Sequence, residues 1–180
     1  FGDDGEADLD PTTGVLAHGQ TTNPGDGGAD TITTTGTGIN VIFGGTASDT
    51  ITLSGTRNIV FGDDGEVDPT LDSTGHLQSY AHISPLYSHD GAADQITVTG
   101  NGVNYIVGEN GSDNITSNGN ADNLIFGDFG SFDGVIPLQL IVPTAPVPFT
   151  YTSVFTQNSD LQPSATDPSA SNTLGAKNSE

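Results

Sequence analysis

From Gly25 onward, the polar and apolar positions follow a short pattern that keeps returning. The phrases "GDGGADTIT", "GGTASDTIT", "HDGAADQIT" and "GENGSDNIT" end at Thr33, Thr52, Thr97 and Thr116. Each runs from a turn through Asp, a variable residue and Ile to Thr. Between them lies a second phrase: "NVIFG" from Asn40, "NIVFG" from Asn58, "NYIVG" from Asn104 and "NLIFG" from Asn123. The two phrases alternate twice per cassette. Asp30 and Asp49 are 19 residues apart, as are Asp94 and Asp113. One position in every phrase is β-branched: Ile32, Ile42, Ile51, Val60, Ile96, Ile106, Ile115 and Ile125. Short strands joined by Gly-rich turns at a period near nine, paired near 18, predict an all-β parallel β-roll, a form of β-solenoid. Two strands per winding would stack with a rise of roughly 4.8 Å, and the eight β-branched residues would form the inward core.

Strand alternation sends the flanking residues outward. On the Asp-type strands these are Thr31, Thr33, Thr50, Thr52, Gln95, Thr97, Asn114 and Thr116, an ordinary solvated face. On the Asn-type strands they are Val41, Phe43, Ile59, Phe61, Tyr105, Val107, Leu124 and Phe126. A sheet face this apolar needs a cover. The intervening segments offer Leu16, Leu77, Tyr80, Ile83, Leu86 and Tyr87 for it, and neighbouring copies of the chain are the alternative partner.

Those segments begin at a second repeated motif. "FGDDGEAD" at Phe1 returns as "FGDDGEVD" at Phe61 and as "FGDFGSFD" at Phe126. It follows an Asn-type strand, where the next Asp-type turn is due, so it reads as the point at which the chain leaves the roll. At the very start it reads as the tail of an earlier unit, and the sequence as a window on a longer repetitive protein. "LDPTTGVL" at Leu9–Leu16 and "LDSTGHL" at Leu71–Leu77 suit hairpin turns flanked by apolar residues. The expected organisation is the tail of a repeat plus a first insert (1–25), cassette one (26–68), a hairpin insert (69–89), cassette two (90–133) and a third insert (134–180). The third insert combines a hairpin with a Pro/Ser-rich linker leading toward a further repeat.

Composition sharpens this picture. The 180 residues include 25 Gly, no Cys and two basic residues, with a formal charge of -21. That charge disfavours nucleic acid and anionic membrane as partners. The lack of Cys excludes a disulfide framework and thiolate metal sites. No apolar run approaches the roughly 20 residues of a membrane-spanning helix. The acids comprise 19 Asp against 4 Glu. Solubility alone would not discriminate between the two, whereas carboxylates in tight turns, as hard cations require, favour the shorter side chain.

The Asp-type phrase resembles the G-G-x-G-x-D-x-U-x nonapeptide (U a large apolar residue) of the repeats-in-toxin (RTX), or hemolysin-type, calcium-binding family. "GGTASDTIT" matches at Gly44, Gly45, Asp49 and Ile51, and departs at Ala47. "GENGSDNIT" matches at Gly108, Gly111, Asp113 and Ile115, and "GDGGADTIT" at Gly25, Gly28, Asp30 and Ile32. The resemblance covers about half the chain. It implies Ca2+ bound between turns, by Asp30 with Asp49 and by Asp94 with Asp113, together with backbone carbonyls. It also implies export as an unfolded acidic chain that folds on meeting extracellular calcium. The Asn edge departs from the family, and Asn40, Asn58, Asn104 and Asn123 suit a neutral hydrogen-bonded ladder better than a cation. Asp63, Asp64 and Asp90 lie where the interrupted turn would be and are candidates for a rebuilt cation site, or equally a solvated acidic turn.

Catalytic constellations do not emerge. His18, His76, His82 and His89 lie in or beside the inserts, and Ser88, His89 and Asp90 are too close in sequence to converge as a triad. The expectation is a non-enzymatic structural segment of a large secreted or cell-surface bacterial protein of adhesin, filament or surface-layer type. The alternatives are a carbohydrate- or surface-binding module attached to a secreted enzyme, or a metal-free solenoid scaffold.

Overall fold

The computed structural model describes residues 1–87, 89–133, 153–156 and 173–177. The described residues form strands and turns with no helix, an all-β arrangement. Two sheets are parallel and one is antiparallel. Most of the third insert, including its Pro/Ser-rich linker, lies outside the described residues.

The first parallel sheet collects the Asp-type phrases: β3 (Thr31–Thr34), β5 (Thr50–Ser54), β9 (Gln95–Thr99) and β11 (Asn114–Asn118). The second collects the Asn-type phrases: β4 (Ile39–Phe43), β6 (Arg57–Phe61), β10 (Val103–Val107) and β12 (Asp122–Phe126). Pairing is in register throughout. Ile32, Ile51, Ile96 and Ile115 are successive partners in one sheet. Ile42, Val60, Ile106 and Ile125 are successive partners in the other. The two rows share one hydrophobic cluster, in which Ile51, Val60, Ile96, Ile106 and Ile115 are wholly buried. Leu53 and Val98, two residues after Ile51 and Ile96, face the same way and add a second row. Each β-branched side chain packs on its counterpart one repeat away, which is the arrangement a pleated, half-buried surface favours. The strand β15 (Thr173–Lys177) extends the first sheet, pairing parallel with β11.

The inserts build the third sheet. β1 (Gly5–Leu9) and β2 (Leu16–Thr21) form one antiparallel hairpin, and β7 (Gly65–Leu71) and β8 (Leu77–Pro85) form the next. β7 starts at Gly65, within the stretch expected to close cassette one. The tips are Asx turns: one carboxylate oxygen of Asp10 accepts the amides of Thr12 and Thr13, and Asp72 accepts those of Thr74 and His76. The hairpins do not stand apart. β2 pairs with β7, and β8 with β13 (Gly130–Asp133), so that one six-stranded sheet runs β1-β2-β7-β8-β13-β14, with β14 spanning Ser153–Thr156.

This sheet covers the apolar face of the Asn-type strands. Phe43, Ile59, Phe61, Tyr105 and Val107 are buried together with Val67, Tyr80 and Ile83, and Val41, Leu77, Leu124 and Phe126 pack at the margin. The cover therefore comes from within the chain. The threonine-bearing face, by contrast, stays exposed or half-exposed.

The FGDDGE motif acquires a mechanical meaning here. The rings of Phe1, Phe43 and Phe61 stack nearly parallel, with centroids 4.9 and 5.2 Å apart. The second glycine of each motif, Gly5, Gly65 or Gly130, lies against the ring of its own Phe, so that a Cβ there would collide with it. The chain can fold back from the parallel sheet into the cover only because that position has no side chain.

Candidate metal centre

The Asp-type turns line up along one edge. Asp49 Oδ1 accepts the amide of Asp30 at 2.7 Å, Asp94 Oδ1 that of Asp49 at 2.7 Å, and Asp113 Oδ1 that of Asp94 at 2.9 Å. The resemblance implied two separate pairs, but the structure has one continuous column that crosses the second insert. The other carboxylate oxygens sit beside glycines. A Cβ on Gly44 would meet Asp49 Oδ2 and the Gly62 carbonyl oxygen. The same pairing recurs at Gly2 (Asp30 Oδ2, Gly44 carbonyl), Gly62 (Asp94 Oδ2, Gly108 carbonyl) and Gly108 (Asp113 Oδ2, Gly127 carbonyl). A file of carboxylate and carbonyl oxygens thus runs down the edge, open only because each of these positions is glycine.

Asp49 Oδ2 and Asp94 Oδ2 are buried without a hydrogen-bond partner. Burial pushes the Asp49 carboxyl up to about 7 and that of Asp94 up to about 8, with neighbouring carboxylates adding to both. Asp113 rises to about 6, chiefly through burial and then through Asp128. Hard oxygens stripped of water and left unsatisfied are costly, and a Ca2+ ion, which takes six to eight such ligands, would relieve them. The residues present fit that ion in chemistry.

On the opposite edge the Asn column carries no charge of its own. Asn40 Nδ2 donates to Asn58 Oδ1 at 2.7 Å, Asn58 to Asn104 at 2.8 Å, and Asn104 to Asn123 at 2.8 Å. Each amide donates to the next, a neutral ladder with its hydrogen bonds already made.

Asp63 and Asp64 lie buried at the root of the second hairpin. Asp63 is fully enclosed, its two oxygens accepting the amides of Ala92 at 3.0 Å and Asn110 at 2.8 Å. It clips together the turns of two successive repeats, as Asp3 does at the first hairpin through the Gly28 amide and the Thr46 hydroxyl. Burial, followed by the Asp94 charge, pushes Asp63 up to about 10. Asp64 is raised by burial and then by Asp90, and its Oδ2 is buried without a partner. Asp90 is half-buried, and its carbonyl accepts the Asn110 side-chain amide at 3.0 Å.

One residue of this group escaped the sequence reading. Glu109 is 1% exposed, and neither carboxylate oxygen has a hydrogen-bond partner. Burial raises it well above the ordinary carboxylate value, with Asp63, Asp64 and Asp94 adding to the effect. The nearby Asp64 amide favours the anion but makes no hydrogen bond of normal geometry to it. The available signal was positional: in the aligned phrases Glu109 stands where Gly45 stands, and both have positive φ, 71° and 96°.

A different cluster lies on the hairpin sheet. His18, Glu66 and Asp68 place ligand atoms within 4.8 Å of one another, with His18 Nδ1 2.6 Å from Asp68 Oδ1. Among the described residues this is the group of three acidic or histidine side chains that converges so closely. Its members are only half-buried, and His18 and Asp68 already satisfy each other; the hydrogen bond to Asp68 is the main cause raising the His18 value. Along the Asp column, by the same measure, an ion would draw on carbonyls as well as carboxylates.

Comparison with family models, with curated proteins and with solved structures returned no match.

Proposed function

We propose that this chain is a calcium-stabilised, non-enzymatic structural segment of RTX-like type from a large secreted or cell-surface protein, its two parallel sheets forming the β-roll. The observation that carries the reading is the file of Asp Oδ2 and glycine carbonyl oxygens, in which Asp49 and Asp94 each keep a buried oxygen without a hydrogen bond. In that reading Asp30, Asp49, Asp94 and Asp113 supply charge, the glycine carbonyls supply neutral ligands, and Ca2+ turns a repulsive column into an attractive one. The charge of -21 opposes compaction until cations arrive, and cation affinity becomes folding free energy. An exported chain would then stay extended where calcium is scarce and fold where it is plentiful. An apolar face already covered by the chain's own hairpins leaves a rod with polar surfaces, suited to spacing or display.

The test is circular dichroism during calcium titration with chelator reversal. A β-signal that grows with calcium and is lost on chelation is expected. A signal indifferent to both would overturn the calcium reading in favour of a metal-free scaffold. That second reading has an observation of its own, since the Asp Oδ1–amide contacts and the Asn ladder bridge the repeats without an ion.

A further inference from the structure

The two hairpin roots are built from the same motif but differ in one respect. At the first, Asp3 is half-buried, Asp4 is exposed and the facing turn carries Gly45. At the second, Asp63 and Asp64 are buried and the facing turn carries Glu109. The protein thus inserts a fourth carboxylate next to Asn110, whose amide Asp63 accepts, and within electrostatic reach of Asp63, Asp64 and Asp94. A non-glycine residue at φ 71° is strained. Its side chain is shut away from water, and both oxygens lack partners.

Protonation does not resolve this. Even if the O–H of a neutral Glu109 found Asp64 Oδ2 as its acceptor, the other oxygen would still lack a donor. A lysine or arginine would resolve it, but the chain has two basic residues, Arg57 and Lys177. Lys177 belongs to β15, beside β11, and Arg57 begins β6, at the strand end opposite Phe61 and the hairpin root. What satisfies several buried carboxylate oxygens at once is a hard divalent cation.

We infer that Glu109, with Asp63, Asp64 and Asp94, forms an additional Ca2+ site at the root of the second hairpin, one that fastens the covering sheet to the parallel sheets. It rests on the calcium reading for its choice of ion, but it adjoins the Asp column without repeating it, because no other described turn of the parallel sheets contributes a glutamate. Asp63 already spends its oxygens on the Ala92 and Asn110 amides, so Glu109 and Asp64 supply the vacant ligand atoms and the clip holds the turns around them. Three ligand atoms do not converge there within 4.8 Å, so main-chain carbonyls or water complete the shell. Asp64 opens the hairpin and Glu109 lies in a turn of cassette two. An ion between them joins the two layers.

The experiment compares wild type, Glu109→Gln and Asp49→Asn in the full chain by calcium and magnesium calorimetry, by thermal melts, and by hydrogen exchange over β7 and β8. Glu109→Gln should lose one binding step, or weaken it by roughly a hundredfold. It should melt higher than wild type in chelator, where the cost of burying an ionisable carboxyl has gone, and gain less from calcium. Exchange over β7 and β8 should slow with calcium in wild type and respond far less in the variant. A Glu109→Gln protein whose isotherm and calcium-dependent exchange match wild type overturns the inference. If Asp49→Asn alone is impaired, the column reading stands and this site falls; the reverse result keeps this site and removes the column. Equal binding of Mg2+ at equal concentration would overturn the assignment to calcium.

Discussion

Asp49 and Asp94 are 45 residues apart in sequence, yet the amide of one donates to the carboxylate of the other at 2.7 Å. The second hairpin lies wholly between them. The parallel strands therefore resume in register after the excursion, with β5 pairing directly with β9. The insert is a branch from the stack and leaves its order intact.

That contact separates two roles of one side chain. Asp94→Ala leaves the Asp49 amide without its acceptor inside the protein, and should destabilise by about 1–3 kcal/mol even in chelator. Asp94→Asn keeps a carbonyl oxygen for that amide and should cost little in chelator, while reducing the stabilisation gained from calcium. Urea unfolding of both variants, with and without calcium, checks this. Equal behaviour of Ala and Asn in chelator would show that the amide contact contributes nothing.

The contact between Phe61 and Gly65 yields a steric prediction. A methyl group on Gly65 would lie 2.5 to 2.7 Å from the Phe61 ring carbons, and the ring, itself stacked on Phe43 and fully buried, has little room to yield. Gly65→Ala should destabilise by about 1–3 kcal/mol as overpacking. Gly38→Ala, where an added Cβ meets nothing within 4 Å, is the control and should stay within roughly 0.5 kcal/mol of wild type. Both are read from urea midpoints.

Much of this architecture was legible in the sequence because it is periodic. Ile32 and Ile51 announce a stack by spacing alone, and Asp10 and Asp72 announce hairpin tips through local turn chemistry. What was not legible is lateral. The pairing that joins the hairpins, Gly19 with Val67 and Gln20 with Glu66, leaves no periodic trace. Nor does burial of a single residue: Glu109 looks like one more surface acid until the hairpin closes over it. The Asp49–Asp94 contact was hidden for a related reason, since counting along the chain treats an insert as an end.

The Asn edge should behave as the structural counterpart of the Asp edge. Asn58 is fully buried, accepting from Asn40 and donating to Asn104. Asn58→Asp keeps the acceptor, removes the donor and adds a buried charge, so a loss of about 3 kcal/mol or more is expected. Calcium should not restore it, because the side chains bonded to Asn58, those of Asn40 and Asn104, offer amide rather than carboxylate oxygens. Thermal melts in chelator and in calcium measure both. A calcium-rescued Asn58→Asp would mean that this edge, too, can hold a cation.

The raised carboxyl values of the Asp column fix the direction of pH dependence without metal. In the folded state Asp49 and Asp94 hold their protons to about 7 and about 8, against an ordinary value of 3.8. The folded protein thus binds more protons than the unfolded chain between those limits, and its stability must fall as pH rises through them. The contribution is fully present below the ordinary carboxylate value and is lost as the folded carboxyls ionise. Calcium acts in the opposite sense, because it binds the ionised form and competes with protons. In chelator the urea midpoint should therefore be lower at pH 8 than at pH 5. In calcium the pH 8 midpoint should recover and the slope should flatten or reverse. A chelated midpoint that rises from pH 5 to pH 8 would mean that the column carboxylates are paired or hydrated, and that no stack of buried charges awaits a cation.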